Sequence, residues 1–257
     1  MATDIPEHQL DRAWPAGSIV ASNSLNEHAT RAVRKHAVLG LLAERDLLAI
    51  VRQSPIRSLP RGHVLFRGGA AGHAVVLVLQ GYVKLSTTAA NDREVVLEIA
   101  GPGTLFGEIA VLNNVPRQAD AKALTPCRLM VINGGLFRHA LAATPEAMFG
   151  AIRLLSERLS KGTERGIDAV ALPARLRVAK ALLHLVELHA EQGGNTVQVA
   201  FRLSQSELGA MAGLIRESIN KHLKPWRAAG WLDDSDGAIT VRDVRPLREL
   251  LGVDQLH

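Results

Sequence analysis

The segment Arg216-Glu217-Ser218-Ile219-Asn220-Lys221 brings a guanidinium, a carboxylate, a hydroxyl, an amide and an ammonium group within about two turns of helix. At helical spacing Ile215, Ile219, Leu223 and Trp226 share one face and must pack inward. Arg216, Glu217, Asn220, Lys221 and Lys224 share the other. That polar face suits base edges and phosphates. Arg and Lys donate to guanine O6 and N7, Glu accepts from cytosine N4, and Asn serves adenine or a phosphate. A charged helix face taken alone is more often simply solvated, so the preceding residues decide the matter. Ser204-Gln205-Ser206-Glu207 is a capping box: the Ser204 hydroxyl accepts from the Glu207 amide and the Glu207 carboxylate reaches back to the Ser204 amide. Leu208, Met211 and Ala212 give a short apolar face, and Gly213 supplies a turn before a second helix starting at Ile215 or Arg216. Together these make a helix-turn-helix whose second helix enters the major groove.

Pro225 lacks an N–H and its ring opposes the carbonyl of Lys221, so the second helix should kink or end there. Trp231-Leu232, the turn Asp233-Asp234-Ser235-Asp236-Gly237 and Ile239–Val241 then predict a hairpin, the wing of a winged helix. Its aspartates would repel phosphates.

The elements that must position this motif lie upstream. Residues 1–36 mix Pro, Ser, Asn and charge without a sustained period and read as an N-terminal arm. Val38, Leu41, Leu42, Leu47, Leu48 and Val51 are helically spaced over Ala37–Val51, and Pro55 and Pro60 stop the pattern. Short apolar runs follow at His63–Phe66, Ala74–Leu79, Tyr82–Leu85, Val95–Ile99, Ala121–Ala123 and Arg128–Ile132. Gly68-Gly69, Gly81, Asn91-Asp92 and Gly101-Pro102-Gly103 separate them, which predicts an antiparallel barrel or sandwich over 37–143.

At Thr144-Pro145-Glu146 the period changes. Thr144 is a good N-cap, Pro145 suits the first helical position, and the helix should run over 144–172 to Pro173. Its seam is Met148, Ile152, Leu155, Leu159, Gly162, Gly166 and Ala169, spaced 4-3-4-3-4-3, the coiled-coil period. A long helix with one narrow seam predicts a parallel homodimer. The second half of the seam is small, and each Gly costs about 1 kcal/mol of helix stability relative to Ala. A ligand that touched this half would order it and fix the spacing of the two recognition helices. A further amphipathic helix carries Leu176, Ala179, Leu183, Val186 and Leu188 to about Glu191, and a strand at Val197–Phe201 leads into the capping box, so 173–257 forms the last domain.

Composition narrows the function classes. A net charge of +5 on 257 residues suits a polyanionic partner without requiring one. The single cysteine, Cys127, allows no intrachain disulfide and no cysteine-ligated zinc or iron–sulfur site, and reads as a small core residue in a reducing, cytoplasmic setting. No apolar run approaches the roughly 20 residues of a membrane span. Asp4 and Glu7 argue against a signal peptide. His184, His189 and the other histidines show no nucleophile or metal partner at useful spacing, which argues against an enzyme and against a metal site.

Two segments resemble the CRP/FNR superfamily of bacterial transcription regulators. Gly107-Glu108-Ile109-Ala110-Val111-Leu112 with Pro116-Arg117-Gln118-Ala119 and Ala121-Lys122-Ala123 resembles the phosphate-binding cassette of cyclic-nucleotide domains. Gln205-Ser206-Glu207-Leu208-Gly209 through Gly213, then Arg216-Glu217-Ser218-Ile219-Asn220-Lys221, is similar to the family's recognition segment. The resemblance implies an α+β protein: an N-terminal antiparallel β-roll of jelly-roll type, a long dimerisation helix and a C-terminal winged helix-turn-helix. It implies that Ser204, Gln205, Arg216, Glu217, Ser218, Asn220 and Lys221 meet DNA. It implies that Gly107, Glu108, Ile109, Ala110, Arg117, Gln118 and Thr163 meet an effector, Arg117 pairing with a cyclic phosphate and Glu108 accepting from a ribose 2′-hydroxyl. Double-stranded DNA with a pseudo-palindromic operator, a second copy of the chain and RNA polymerase are the implied partners, with half-sites about 34 Å apart.

The chain also departs from the family. Gln118 stands where cyclic-AMP binders usually carry Ser or Thr, and Gly162-Thr163 stands where cyclic-AMP-dependent members carry adjacent hydroxyls. Lys221 stands where Arg is common and cannot form its bidentate fork. The cysteine cluster of the oxygen-sensing branch is absent. Cyclic AMP or cyclic GMP therefore remains a candidate effector beside two alternatives: a regulator of the same architecture that is effector-independent or senses another ligand, and a cyclic-nucleotide module of another protein.

Overall fold

A computed structural model describes residues 23–188, 197–198, 203–233 and 239–252. They fall into two compact units, Met1–Thr87 with Leu97–Leu159, and Thr88–Val96 with Ser160–His257.

The first unit opens with α1 (Asn23–Lys35), a 3₁₀ turn (Leu39–Leu41) and α2 (Glu44–Gln53). Eight strands follow: β1 (Ile56–Leu59), β2 (Val64–Phe66), β3 (Ala74–Gln80), β4 (Val83–Thr88), β5 (Glu94–Ala100), β6 (Leu105–Phe106), β7 (Asp120–Ala123) and β8 (Cys127–Asn133). They form two four-stranded sheets, ordered β1-β8-β3-β6 and β2-β7-β4-β5. The pairs β1–β8, β2–β7, β3–β6, β3–β8 and β4–β7 are antiparallel, with Val76 opposite Val131 and Leu85 opposite Ala121. The short helix α3 (Glu108–Asn113) follows β6, and α4 (Gly134–Ala143) follows β8.

The unbroken apolar run of β3 has a physical cause. Val76 and Val78 turn into the core between the sheets with Leu65, Val83, Leu85, Phe106 and Leu129. Val75, Leu77 and Leu79 turn the other way, onto a second core with Val33, Leu39, Ile50, Met130, Ile132, Phe137 and Leu141. A strand covered on both faces has no polar side to alternate with.

The N-terminal arm is shorter than the sequence suggests. Residues 23–35 are helical, and Ala29 and Val33 are buried in the outer core with Ala32 against it. Two of these three are alanines, too small to stand out among polar neighbours. The helix expected over Ala37–Val51 is two pieces, because Leu42 turns extended and α2 restarts behind Ala43. Strands β1 and β6 and helix α4 escaped the sequence pattern, being short or glycine-led. Asn133 caps α4, its side chain accepting from the Gly135 and Leu136 amides.

The long helix α5 (Pro145–Ala171) is continuous through Gly162 and Gly166. In the second unit α6 (Ala174–Glu187) precedes β9 (Val197–Gln198), α7 (Gln205–Ala212), α8 (Arg216–Ala228), β10 (Leu232–Asp233), β11 (Thr240–Val241) and α9 (Arg245–Leu251). Strands β10, β11 and β9 form one antiparallel sheet. The tail of the predicted strand at 199–201, the end of the helix expected to reach Glu191, and the wing turn at 234–237 lie outside the described residues.

His36 links the N-terminal elements. Its Nδ1 accepts from the amides of Val38, at 3.0 Å, and Leu39, at 3.2 Å, so the buried ring must be neutral at that nitrogen. Burial first, and then the Arg158 charge, lowers its pKa to about 4. The folded state thus refuses a proton that the unfolded chain accepts near pH 6.5. The stabilisation is complete above pH 6.5 and is lost as pH falls toward 4. Between pH 7 and pH 5 the wild-type chain should lose about 2 kcal/mol more than His36→Asn, which keeps an acceptor for the two amides. Urea unfolding at the two pH values measures this; parallel losses in both proteins would refute it.

Candidate functional site

In the first unit, the end of β6 and the start of α3 bring Gly107 and Glu108 beside Arg117. Gly107 is left-handed, at φ +84°, and a Cβ there would lie 2.3 Å from Arg117 Nη1. Glycine is therefore needed both for the turn and for the guanidinium that packs on it. Arg117 is only 6% exposed. Its Nη1 donates to Gly107 O at 3.1 Å and its Nη2 to Ala74 O at 2.7 Å. The guanidinium lies 4.2 Å from the centroid of the Phe66 ring. Its Nε is buried without a partner. Among the described residues no carboxylate lies within ion-pair distance of it. Burial lowers its pKa to about 10, partly opposed by the Glu108 charge, so the group is cationic at neutral pH.

Glu108 is 2% exposed, and its Oε1 pairs with Arg158 Nη1 from the long helix. Arg158 Nη2 donates to Leu105 O at 2.6 Å and lies 3.3 Å from Glu98 Oε2. Burial alone would lower the Arg158 pKa, but Glu108 and Glu98 together raise it. The second Glu108 oxygen, Oε2, is buried without a partner. Ala110 is buried and Ile109 half-buried in α3, while Gln118 is exposed beside Arg117. Thr163 belongs to the other unit, exposed on the long helix.

Sequence reasoning missed Arg158 and Glu98. Arg158 is one of several charges flanking the α5 seam, and Glu98 lies inside the apolar run Val95–Ile99. Nothing in their spacing marks them as partners.

In the second unit the capping box is formed: Ser204 Oγ accepts from the Glu207 amide at 3.1 Å, and Glu207 Oε2 accepts from the Ser204 amide at 2.9 Å. Gly213 ends α7 at φ +66°. A Cβ on Gly209 would lie 2.6 Å from Leu214 O, so this glycine lets the turn fold back onto α7. Arg177 of α6 donates to Ala212 O and Gly213 O, at 3.3 and 3.4 Å, holding the turn from behind.

Helix α8 buries Ile219, Leu223 and Trp226, the last stacked on Trp231 with centroids 6.0 Å apart. Ile215 departs from the expectation of inward packing. It is the extended residue before the helix and is 51% exposed. The helix also continues through Pro225 to Ala228, against the expected kink or stop. Both Pro225 and Lys221 are exposed, so the carbonyl that loses its amide partner belongs to the solvent side, while Leu223 and Trp226 hold the inner side. Arg216, Glu217, Asn220 and Lys221 are exposed, Ser218 half-buried, and Asn220 Oδ1 accepts from Arg227 Nη2 at 3.3 Å. Ser204 is exposed and Gln205 half-buried at the start of α7.

Comparison with known proteins finds a domain family for each of two segments. The cyclic nucleotide-binding domain family matches residues 56–144, and the Crp-like helix-turn-helix domain family matches residues 176–250. The chain is 31% identical over 195 residues to the cyclic AMP receptor protein of Thermus thermophilus, covering 76% of this chain and 87% of that one. It is 29% identical over 197 residues to a CRP-like cAMP-activated global transcriptional regulator of Mycobacterium tuberculosis, covering 77% and 88%. A solved structure of the c-di-GMP-responsive global regulator CLP of Xanthomonas campestris is similar at a TM-score of 0.64 and 25% identity, over 77% of this chain and 97% of that one. An antiparallel β-roll with a nucleotide-type cassette, a long helix and a winged helix-turn-helix define a DNA-binding transcription regulator. The chain belongs to the CRP/FNR superfamily. Among the described residues no helix is long and apolar enough to cross a membrane.

The Glu108–Arg158 pair gives a direct test. Removing one partner of a buried pair strands the other charge, at about 3–5 kcal/mol. Arg158→Met should therefore cost about that much in urea unfolding, and adding Glu108→Gln should recover more than half of it. A double variant no more stable than the single would show that packing, not charge, sets the loss.

Proposed function

We propose that two copies of the chain bind a pseudo-palindromic operator, and that the β-roll takes a cyclic mononucleotide as effector. Arg117 would hold the cyclic phosphate and Glu108 would accept from the ribose hydroxyl. The observation that carries this reading is Arg117 itself: a buried cation bonded only to carbonyls and a ring, with Nε unpartnered and no carboxylate paired to it. A charge held this way is compensated by an anion that enters the site. The unpartnered Glu108 oxygen beside it is the complementary acceptor for a hydroxyl.

The effectors named for relatives are cyclic AMP in Mycobacterium tuberculosis and c-di-GMP in Xanthomonas campestris, so this architecture serves more than one cyclic nucleotide. Gln118 lacks the hydroxyl of cyclic-AMP binders and offers an amide instead. Calorimetry of the whole protein against cyclic AMP and cyclic GMP decides the reading. At least one should bind, and Arg117→Gln should weaken it by about 100-fold, the loss of roughly 2.7 kcal/mol. Absence of binding by either nucleotide ends the cyclic-mononucleotide reading and leaves a regulator that is effector-independent or senses another ligand.

On DNA, Arg216, Glu217 and Lys221 would read bases near the start of α8, with Ser204, Gln205, Ser218 and Asn220 as further contacts. Arg216→Ala should cost about 1–3 kcal/mol on the operator and relax one base position. Equal weakening on every sequence in a binding-site selection would count against base reading.

A further inference from the structure

One shoulder of α8 carries charge that the fold does not use. Ile219, Leu223 and Trp226 set the inward direction of this helix. At about 100° per residue, Lys221 then points within about 20° of the opposite, outward direction. His222 lies about 110° round from outward and Ser218 about 70° on the same side, while Asn220 and Arg227 lie on the other. His222 is half-buried, and the charges that act on it are Lys221 from its own helix and Arg175 from the first turn of α6. Among the described residues, no charge from α7 or from the sheet of β9, β10 and β11 acts on it. Neither the His222 nor the exposed Arg175 side chain has a hydrogen-bond or ion-pair partner among the described residues. Arg177, two residues further along α6, is by contrast bonded to the turn before α8.

The geometry of the groove says what this shoulder meets. The major groove is about 12 Å wide and about 8.5 Å deep, and a helix with its side chains is about 10–12 Å across. A helix that enters it therefore leaves its shoulders level with the rims, where the phosphates stand. We propose that Arg175 and His222 hold a backbone phosphate of the operator on this side of α8, and that His222 takes up a proton as the DNA binds. The proposal rests on α8 lying in the groove, and it adds a contact that reads no base.

The proton comes from solvent and turns the neutral imidazole into an imidazolium that donates to the phosphate. In the free protein burial first, and then Lys221 and Arg175, lower the His222 pKa, since a proton there would join two cations with no carboxylate to offset it. A phosphate reverses that balance and favours the charged ring. The pKa is thus higher in the complex than in the free protein. Affinity rises as pH falls through the value of the complex, and levels off below the value of the free protein. Each His222 contributes at most about a factor of ten per pH unit.

The test uses the full-length protein, an operator obtained by binding-site selection with it, and an unrelated duplex, at constant salt. Each variant is checked for native circular dichroism. Between pH 8 and pH 6 the wild type should gain at least about tenfold more affinity for the operator than His222→Gln. His222→Lys, charged at both pH values, should bind more tightly than the wild type at pH 8 and lose the extra pH dependence. Arg175→Ala should weaken operator and unrelated duplex by the same factor and lower the salt slope by about 0.9 per bound copy. A His222→Gln variant that follows the wild type from pH 8 to pH 6 overturns the proton uptake. An unchanged salt slope in Arg175→Ala overturns the phosphate contact and leaves a merely solvated pair. Loss of base preference in Arg216→Ala, or its absence in the wild type, bears on base reading alone, because the unrelated duplex reports the phosphate contact without it.

Discussion

The first unit is organised around a buried carboxylate that no solvent can neutralise. Glu108 sits at the start of a short helix that Gly107 aims inward, and charge burial of this kind is tolerated only with a partner. Arg158 supplies it from the long helix. The pair therefore does more than satisfy two groups. It fixes where the first half of α5 runs against the β-roll, it engages Leu105 O at the end of β6, and it brings a positive charge near His36. The roll and the long helix meet at this ion pair, and the Arg158 charge extends its influence to His36.

The second unit depends on close backbone approach instead of charge. Gly209 and Gly213 let the chain reverse within a few residues, and the two-sided capping box fixes where α7 begins. Arg177 then restrains the turn from α6. Only after these backbone constraints are met does the burial of Ile219, Leu223 and Trp226 set the rotation of α8 about its axis. That rotation turns Arg216, Glu217 and Lys221 outward. The outward polar face of α8 is therefore a product of glycine placement as much as of its own residue types.

These differences explain what the sequence disclosed. Local rules carried the helix-turn-helix, because capping, turn and amphipathic face are all written within about twenty residues. They misplaced its edges, Ile215 and Pro225, where exposure is decided by the neighbouring elements. The β-roll strands were legible where apolar runs were bounded by glycines, and β3 was legible although it lacks alternation. The two-residue strand β6 was not, nor was α1, which places the small residues Ala29, Ala32 and Val33 against the core. The cassette residues were legible only through resemblance: a Gly-Glu followed nine residues later by Arg has no local signature. Arg158, fifty residues from Glu108, was beyond any local rule, since a pair at that separation is made by tertiary packing alone.

The charge arithmetic of the cassette narrows what can enter it. Arg117 and Arg158 contribute two positive charges, and Glu98 and Glu108 two negative ones, so the cluster is neutral in sum. It is not neutral in distribution. Both carboxylates lie on Arg158, and Arg117 has only carbonyl dipoles and the face of Phe66. A dianion or polyanion would overload one cation next to a buried carboxylate with an unpaired oxygen. A neutral ligand would leave Arg117 as it stands and gain little from it. The match is a compact molecule with a single negative charge at one end and a hydrogen-bond donor a few ångströms away. A cyclic monophosphate with its ribose hydroxyl has that pattern, and on the proposed reading the internal neutrality of the cluster would make its binding depend on the placement of charge and not on its excess.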